Sequence, residues 1–498
     1  MLKVLISIGS LQLVTMFVMM LRTKGLALLL GPELYGLMGV LDRMVAVFGQ
    51  TISLSLPFSA LRYLSPQWET DRPRFFWLFR RMRNVLTGLS LLALLVGVLL
   101  VSFVPELLGG QIREHRGLAV LALLGLPTVA LVPFLQNSLA ASFDHSRAML
   151  FSLLHAIVFS VTAVLGVWTL GLNGFYGLYA LLGGTLCLVV LRTFARAESS
   201  SVPAEAALVE RTPTYLPKYV WRFGLLLLAP AFLAPYVAYS VFDQLIASRG
   251  QVAGGYMQSA MGLALAVRGV LGAAGQVFLT PLVNRPGNFL ERVERANNFQ
   301  KTLFLLVGIV VPPLVLLSQL AIVVLYSPRF LPAAPYVVLF VTVEILGLAV
   351  GNYQAVLLAM DHVVVSVVQN IVAQAAMFLM ASWAIPRWGI VGAGLASLTA
   401  QLVLMAGTAT FLVWRHRFRP SPRIVALSAY IFASLGCSAW LASTFPGMTW
   451  SGLAVKLAAY AVFAGGLAIF PNPEDWLNMR RLGDELRARR AARSLRKQ

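Results

Sequence analysis

The stretch LLLGPELYGLMG, from Leu28 to Gly39, joins two long apolar runs through a Gly-Pro turn. Apolar runs of about 20 residues, long enough to cross a bilayer as helices, recur from there to the end of the chain. The composition agrees, because 59% of the 498 residues are hydrophobic and 12% are charged, whereas soluble domains carry about 25% charged residues. The sequence therefore excludes a soluble globular protein and predicts an all-α polytopic membrane protein with short loops.

The length rule for a membrane-crossing helix predicts about fourteen spans. They cover roughly residues 7–30, 34–60, 85–105, 117–141, 149–170, 174–194, 219–247, 255–280, 302–325, 335–359, 363–385, 389–413, 424–443 and 452–470. Basic residues concentrate in alternate connections, and the other side holds only Arg113, Arg116, Arg249, Arg329 and Arg387. Because cytoplasmic loops carry the excess of Lys and Arg, both termini are predicted to be cytoplasmic. The net charge of +20 then reflects membrane orientation, and no nucleic-acid partner is expected.

Three short elements of the first half recur in the second half at a nearly constant spacing. The pairs are Leu28–Gly39 with Ala247–Gln258, Leu135–His145 with Tyr353–His362, and Gly174–Gly177 with Gly389–Gly392. A repeat of six helices enters the membrane twice in the same direction, so a pseudo-twofold axis is expected along the membrane normal. The predicted parts are an N-lobe (1–194), a cytoplasmic linker (195–217), a C-lobe (218–414), two added helices (415–470) and a basic cytoplasmic tail (471–498).

This pattern of six, six and two helices resembles that of the oligosaccharide flippases, a branch of the multidrug/oligosaccharidyl-lipid/polysaccharide exporter superfamily that is related to lipid II flippases. The motifs that carry the resemblance are Leu-Gly-Pro-Glu-x-Tyr-Gly at Leu30–Gly36 and the pair Phe242-Asp243 followed by Gly255-Tyr256. The resemblance implies movement of an undecaprenyl-diphosphate-linked oligosaccharide from the cytoplasmic to the outer leaflet by alternating access. It also implies a groove for the prenyl tail at the last two helices.

Ionisable residues inside a membrane are costly and usually face a cavity or a partner. Arginine presents a planar fork of donors that matches phosphate oxygens, so arginines within the spans of both halves favour a diphosphate ligand. Tyrosines and neutral polar groups near them suit sugar hydroxyls. The predicted substrate-binding residues are Gln12, Thr15, Arg22, Arg43, Tyr236, Tyr239 and Arg268.

Three carboxylates also lie within the predicted spans, namely Asp42, Asp243 and Glu344. Each has two interpretations that the sequence leaves open: it couples transport to a proton or a sodium ion, or it forms a structural ion pair. Asp42 would pair with Arg22 or Arg43, and Glu344 would pair with Arg268. Lys24 points away from Arg22 on a helical wheel and is close enough to the span end to reach the interface.

Motifs for ATP binding and for zinc hydrolysis do not occur in the sequence, and the five histidines are scattered. We therefore expect a transporter rather than an enzyme, without cofactor or metal, acting as a monomer in a bacterial inner membrane for lipopolysaccharide-type surface polysaccharide biosynthesis. Its expected partners are the lipid-linked oligosaccharide, membrane lipids and a glycan polymerase. Two alternatives remain: a cation-coupled exporter of drugs or metabolites on the same fold, and a non-transporting scaffold for polysaccharide assembly.

Overall fold

The structure, a computed structural model, describes residues 2–142, 145–201, 217–284, 289–359, 362–418, 421–445 and 449–470. These ranges form seventeen α-helices, two short 3-10 helices (Pro105–Leu108 and Pro328–Tyr336) and no β-strand. In chain order the helices are α1 (Leu2–Ile52), α2 (Leu56–Thr70), α3 (Arg72–Phe103), α4 (Gly110–Glu114), α5 (Arg116–Leu124), α6 (Leu126–Ala141), α7 (His145–Ser201), α8 (Lys218–Leu226), α9 (Leu228–Arg249), α10 (Gln251–Asn284), α11 (Phe289–Leu316), α12 (Ser318–Leu325), α13 (Val337–Ala359), α14 (Val363–Trp388), α15 (Ile390–His416), α16 (Pro422–Thr444) and α17 (Trp450–Leu467).

Two of these helices are long enough to cross a membrane twice. The 51-residue α1 is bent at Gly31 (φ 65°), and the 57-residue α7 is bent at Gly171 (φ 63°). Both glycines occupy the left-handed region, which residues with a Cβ rarely adopt. Eleven helical stretches of the described chain are apolar and long enough to span a bilayer, and the two bent ones count among them. With the 34-residue α10 added, the prediction of about fourteen membrane helices is confirmed.

Contacts between Cα atoms divide the chain into two compact units. The first comprises Met1–Ala296 and Ser318–Phe418, and the second comprises Asn297–Leu317 and Arg419–Gln498. In the first unit, α1 packs against α7, α9 and α10, and α14 packs against α15 and α9. In the second unit, α16 packs against α17, and the Tyr430 hydroxyl donates to the Phe463 carbonyl at 2.8 Å. The division into two six-helix lobes stays a prediction.

The closest approach between α1 and α10 occurs where two repeated turns meet. A Cβ placed on Gly255 would overlap the Pro32 carbonyl oxygen, and a Cβ placed on Gly36 would overlap the Gln251 carbonyl oxygen. Backbone atoms of the two helices are therefore in contact at this crossing. Only glycine, which has no Cβ, permits this contact. The crossing fixes how α1, from the first half of the chain, lies against α10, from the second half.

We expect Gly255→Ala to lower the free energy of unfolding by about 1–3 kcal/mol, because the added methyl group meets backbone that cannot rotate away. Gly177→Ala on α7 is the matched control, since a Cβ there has no neighbour within 4 Å. Alanine favours helix over glycine, so the control should unfold at the wild-type temperature or above it. Thermal unfolding in detergent measures both variants. Equal melting temperatures for the two variants would show that the crossing is not tight.

Candidate functional site

Arg22 lies on the first segment of α1, inside the membrane-crossing part of the helix. Its guanidinium carbon lies 4.4 Å from the ring centroid of Phe159 on α7, a cation–π distance. Its Nε and Nη1 atoms are buried and have no hydrogen-bond partner. Buried polar groups are almost always hydrogen-bonded, and each exception requires an explanation. These two nitrogens therefore have unused capacity to donate hydrogen bonds.

Of the two polar residues predicted to bind substrate on the same helix as Arg22, Gln12 and Thr15, the structure describes the side chain of Thr15 only. Thr15 is buried, and its hydroxyl donates to the Leu11 carbonyl of its own helix at 2.8 Å, so its oxygen remains as an acceptor only. The side chain of Gln12 lies outside the described residues. Lys24 donates to the Val323 carbonyl of α12 at 2.8 Å. A backbone carbonyl, rather than a bound anion, is therefore the polar partner of Lys24.

Asp42 and Arg43 follow on the second segment of α1 and have separate partners. The Asp42 carboxylate accepts a hydrogen bond from the Tyr176 hydroxyl at 2.9 Å. Arg43 donates to the Gly39 carbonyl at 2.9 Å and lies 3.8 Å from the ring centroid of Phe242 on α9. Within the described residues, the Asp42 carboxylate forms no ion pair within 4.0 Å with Arg22 or Arg43. Arg43 therefore keeps hydrogen-bonding capacity where the two halves of the chain meet.

Arg268 on α10 forms an ion pair with Glu344 on α13, with Nη1 and Oε2 2.9 Å apart. The side chain of Arg268 is 50% exposed, whereas that of Glu344 is 14% exposed. This is the pairing that the sequence left as one of two interpretations of Glu344. Because the pair occupies one nitrogen of a half-exposed guanidinium, the remaining donors of Arg268 are still accessible.

The three arginines lie at different depths along their helices. At 1.5 Å per helical residue, Arg22 lies about 14 Å and Arg43 about 18 Å from the bend at Gly31. Arg268 lies about 27 Å from the matching turn at Gly250. The turns that contain Gly31 and Gly250 pack against each other. The three distances are therefore measured from the same end of the packed helices. Arg268 therefore lies farther along its helix from these turns than Arg22 and Arg43 do.

Tyr239 and Asp243 on α9 have their polar contacts elsewhere. The Tyr239 hydroxyl donates to the Leu108 carbonyl. The Asp243 carboxylate lies against Gly109, where a Cβ would be 2.7 Å from its Oδ2 atom. Tyr236 stacks on Phe232 with ring centroids 5.4 Å apart. Two of the three predicted α9 residues therefore contact the connection between α3 and α4, not the neighbourhood of Arg22.

Several aromatic residues that sequence reasoning missed surround Arg22. The groups that interact with it electrostatically are Tyr35, Asp42, Tyr179 and Tyr326. Tyr326 packs edge-on against Tyr35 with ring centroids 5.9 Å apart. The sequence does carry a signal, because the run Phe175-Tyr176-Gly-Leu-Tyr179 places three aromatic residues within one span.

This set of groups is suited to binding an anion with polar substituents. Guanidinium N–H groups form strong, charge-assisted hydrogen bonds to phosphate oxygens, and the phenol hydroxyls can both donate and accept. Within the described residues, no group of three or more His, Cys, Asp or Glu side chains could hold a metal ion. The hydrogen-bonding groups of this site are therefore arginines, phenols and the half-buried carboxylate of Asp42.

Comparison with models of known protein families gave no match, and comparison with curated protein sequences gave none either. The fold, in contrast, matches solved membrane transporters. The structure entitled "Lipid II flippase MurJ, inward closed conformation" aligns with a TM-score of 0.64 and 13% identity, covering 93% of this chain and 98% of that one. An inward-facing multidrug resistance MATE family transporter of the MOP superfamily aligns with a TM-score of 0.54 and 14% identity, covering 84% and 96%. The chain therefore has the fold that MurJ and the MATE transporters share.

Proposed function

We propose that this protein is a secondary-active flippase that moves an undecaprenyl-diphosphate-linked oligosaccharide from the cytoplasmic to the outer leaflet. The observation that carries the proposal is Arg22, whose buried Nε and Nη1 atoms have no hydrogen-bond partner within the protein. A diphosphate supplies the oxygens that such a fork binds. The likeness of the fold to a lipid II flippase supports the same class of substrate.

The depth series of arginines suggests the path of the head group. Arg268, half-exposed and farthest from the Gly31 turn, meets the diphosphate first when it enters from the cytoplasmic leaflet. Arg22 and Arg43 then receive it closer to the outer surface. Since an isolated charge inside a bilayer costs several kcal/mol, a sequence of arginines lowers the barrier at successive depths. The prenyl tail stays in the bilayer throughout.

Release on the outer side requires the two halves of the chain to separate near their matched turns. The contacts that join the halves there include the Gly36–Gly255 crossing, the Tyr239 hydrogen bond to Leu108, and a 2.6 Å hydrogen bond from Gln251 to Gln111. None of these three contacts is an ion pair, so each can break without leaving a charge unpaired.

The remaining parts of the proposal follow from orientation and chemistry. The concentration of basic residues in alternate connections supports cytoplasmic termini, and the proposed location is a bacterial inner membrane. A lipid-linked oligosaccharide delivered to the outer leaflet must then be consumed by a polymerase or ligase, for which surface polysaccharide assembly is the natural setting. The chain acts as a transporter and catalyses no covalent step.

A second candidate function is a cation-coupled exporter of drugs or metabolites. Its specific support is Asp42, whose carboxylate accepts a hydrogen bond from buried Tyr176 and can bind a proton or a cation. The fold likeness to MATE transporters is consistent with it. Against it, the carboxylate is accompanied by Arg22 and Arg43, which repel a cationic drug.

Charge reversal at Arg268 separates these functions in the living cell. Arg268→Glu should reduce surface polysaccharide by tenfold or more at a normal protein level, because a carboxylate repels the diphosphate. Arg113→Glu is the matched control, since Arg113 forms an exposed ion pair with Glu106 outside the spans and should leave polysaccharide unchanged. Altered drug resistance with normal polysaccharide would instead favour the exporter. Normal polysaccharide and resistance, with loss of a partner complex, would favour a scaffold.

A further inference from the structure

His155 is the one histidine that the structure places well inside a membrane-crossing segment. It lies on α7, and the other four histidines lie at helix ends. Those four are His115, His145, His362 and His416. An imidazole changes its charge between about pH 5 and 8 without large perturbation, which no other common side chain does. Its position inside a span therefore suggests a function.

The imidazole is connected to Arg22 through a shared aromatic ring. The rings of His155 and Phe159 are nearly parallel, with centroids 6.0 Å apart and an interplanar angle of 6°. The Arg22 guanidinium lies over the same Phe159 ring at 4.4 Å. The two groups are thus at most about 10 Å apart, close enough in a protein interior for their charges to change each other's equilibria by about tenfold.

The other side of the imidazole has a neutral partner. Its Nε2 atom lies 3.3 Å from the hydroxyl of Tyr179, on the second segment of α7. The packed helix α6 carries no ionisable side chain, and α5 carries only Arg116, at its first residue. On α1, Arg22 is the charged group that interacts with His155. Among the charged groups of these helices, Arg22 is therefore the one that acts electrostatically on His155, and a ligand bound to Arg22 would change this effect.

Two cations flanking one ring repel each other, whereas an anion bound to Arg22 would cancel that repulsion. We propose that His155 is a proton-binding group coupled to the anion site at Arg22, so that binding of an anionic head group there is accompanied by proton uptake. This inference rests on the proposed function, because it requires a phosphate at Arg22. Linkage makes the effect reciprocal: a proton on His155 strengthens anion binding by the same factor.

The test is calorimetric titration of the full-length protein in nanodiscs with farnesyl diphosphate, a short prenyl diphosphate. Titrations at several pH values from about 5 to 7, each in two buffers with different heats of ionisation, give the number of protons taken up per ligand bound. The variant is His155→Gln, which retains a hydrogen-bonding group toward Tyr179 but cannot titrate. Subtracting the proton uptake of the variant from that of the wild type removes the protons that the ligand itself takes up or releases. We expect His155→Gln to take up fewer protons than the wild type, by up to about half a proton per ligand, because a tenfold coupling changes the proton occupancy of the imidazole by no more than that. We also expect its affinity to be reduced by up to about tenfold.

Equal proton uptake in the two proteins would overturn the role of His155. Arg22→Gln distinguishes this failure from a failure of the proposed function. If Arg22→Gln binds farnesyl diphosphate as tightly as the wild type, both the anion site and the inference fail. If binding depends on Arg22 but His155→Gln takes up as many protons as the wild type, only the inference fails. Should His155→Gln not fold, His155→Asn tests the inference instead, because it also cannot titrate and must show the same reduced proton uptake.

Discussion

Arg22→Met abolishes transport, reducing it about 100-fold or more, while the protein becomes at least as stable as the wild type. Loss of one partner from a desolvated charged contact costs 2–5 kcal/mol of binding, which accounts for the loss of transport. The stability follows from Nε and Nη1, which are buried without a hydrogen-bond partner. Methionine removes the desolvation cost of a charged group whose nitrogens have no hydrogen-bond partner, and this gain offsets the loss of one cation–π contact with Phe159.

Lys24→Met, two residues along the same helix, is the matched control and should behave in the opposite way. The Lys24 ammonium group donates to the Val323 carbonyl, so its loss removes a charge-assisted hydrogen bond worth about 1.5–3 kcal/mol. We expect lower stability and nearly unchanged transport per folded molecule. Flipping of a labelled lipid-linked oligosaccharide in proteoliposomes, together with thermal unfolding, measures both properties. An Arg22→Met protein that transports normally, or that unfolds well below the wild-type temperature, would show that Arg22 has a structural role.

The second large effect concerns the pair of Arg268 and Glu344. Arg268→Met alone leaves the Glu344 carboxylate, 14% exposed, without its cation. Breaking a buried pair in this way costs about 3–5 kcal/mol when both partners are fully buried, and less here because Arg268 is half-exposed. The double variant Arg268→Met/Glu344→Met has no unpaired charge and should regain most of the stability. Transport should be lost in both variants, since both lack the guanidinium.

The comparison of these two variants separates pairing from ligand binding. Thermal unfolding reports the recovery of stability in the double variant, and the proteoliposome assay reports transport. If the double variant transports as the wild type does, Arg268 serves only to neutralise Glu344. Its assignment to the path of the diphosphate would then be wrong.

The fold could be predicted largely because the membrane imposes a simple rule on the sequence. Apolar runs of bilayer length set the number of spans, and the Gly-Pro turn at Gly31 marks a bend that requires positive φ. The ends of the spans were less predictable, since α1 and α7 continue helically to either side of their bends. The close α1–α10 crossing depends on the mutual fit of two backbones, which a single sequence does not contain.

The candidate site could be predicted only in part, for a physical reason. Charged residues inside apolar runs are visible in the sequence, so Arg22, Asp42 and Arg43 were identified. Partners depend on tertiary packing, so the contact of Asp243 with Gly109 could not be predicted. The aromatic surroundings of Arg22 were missed because tyrosine and phenylalanine are ordinary components of membrane helices. The roles of all these residues in transport stay predictions.

The central claim is that arginines from both halves of the chain bind the diphosphate of a prenyl-linked substrate. Native mass spectrometry of the intact protein with undecaprenyl diphosphate tests it most directly, using the wild type, Arg22→Met and the double variant Arg268→Met/Glu344→Met. We predict one retained lipid diphosphate per wild-type molecule and at least tenfold less retention in each variant, with undecaprenol itself retained poorly by all three. Equal retention of undecaprenyl diphosphate by the wild type and both variants would contradict the claim.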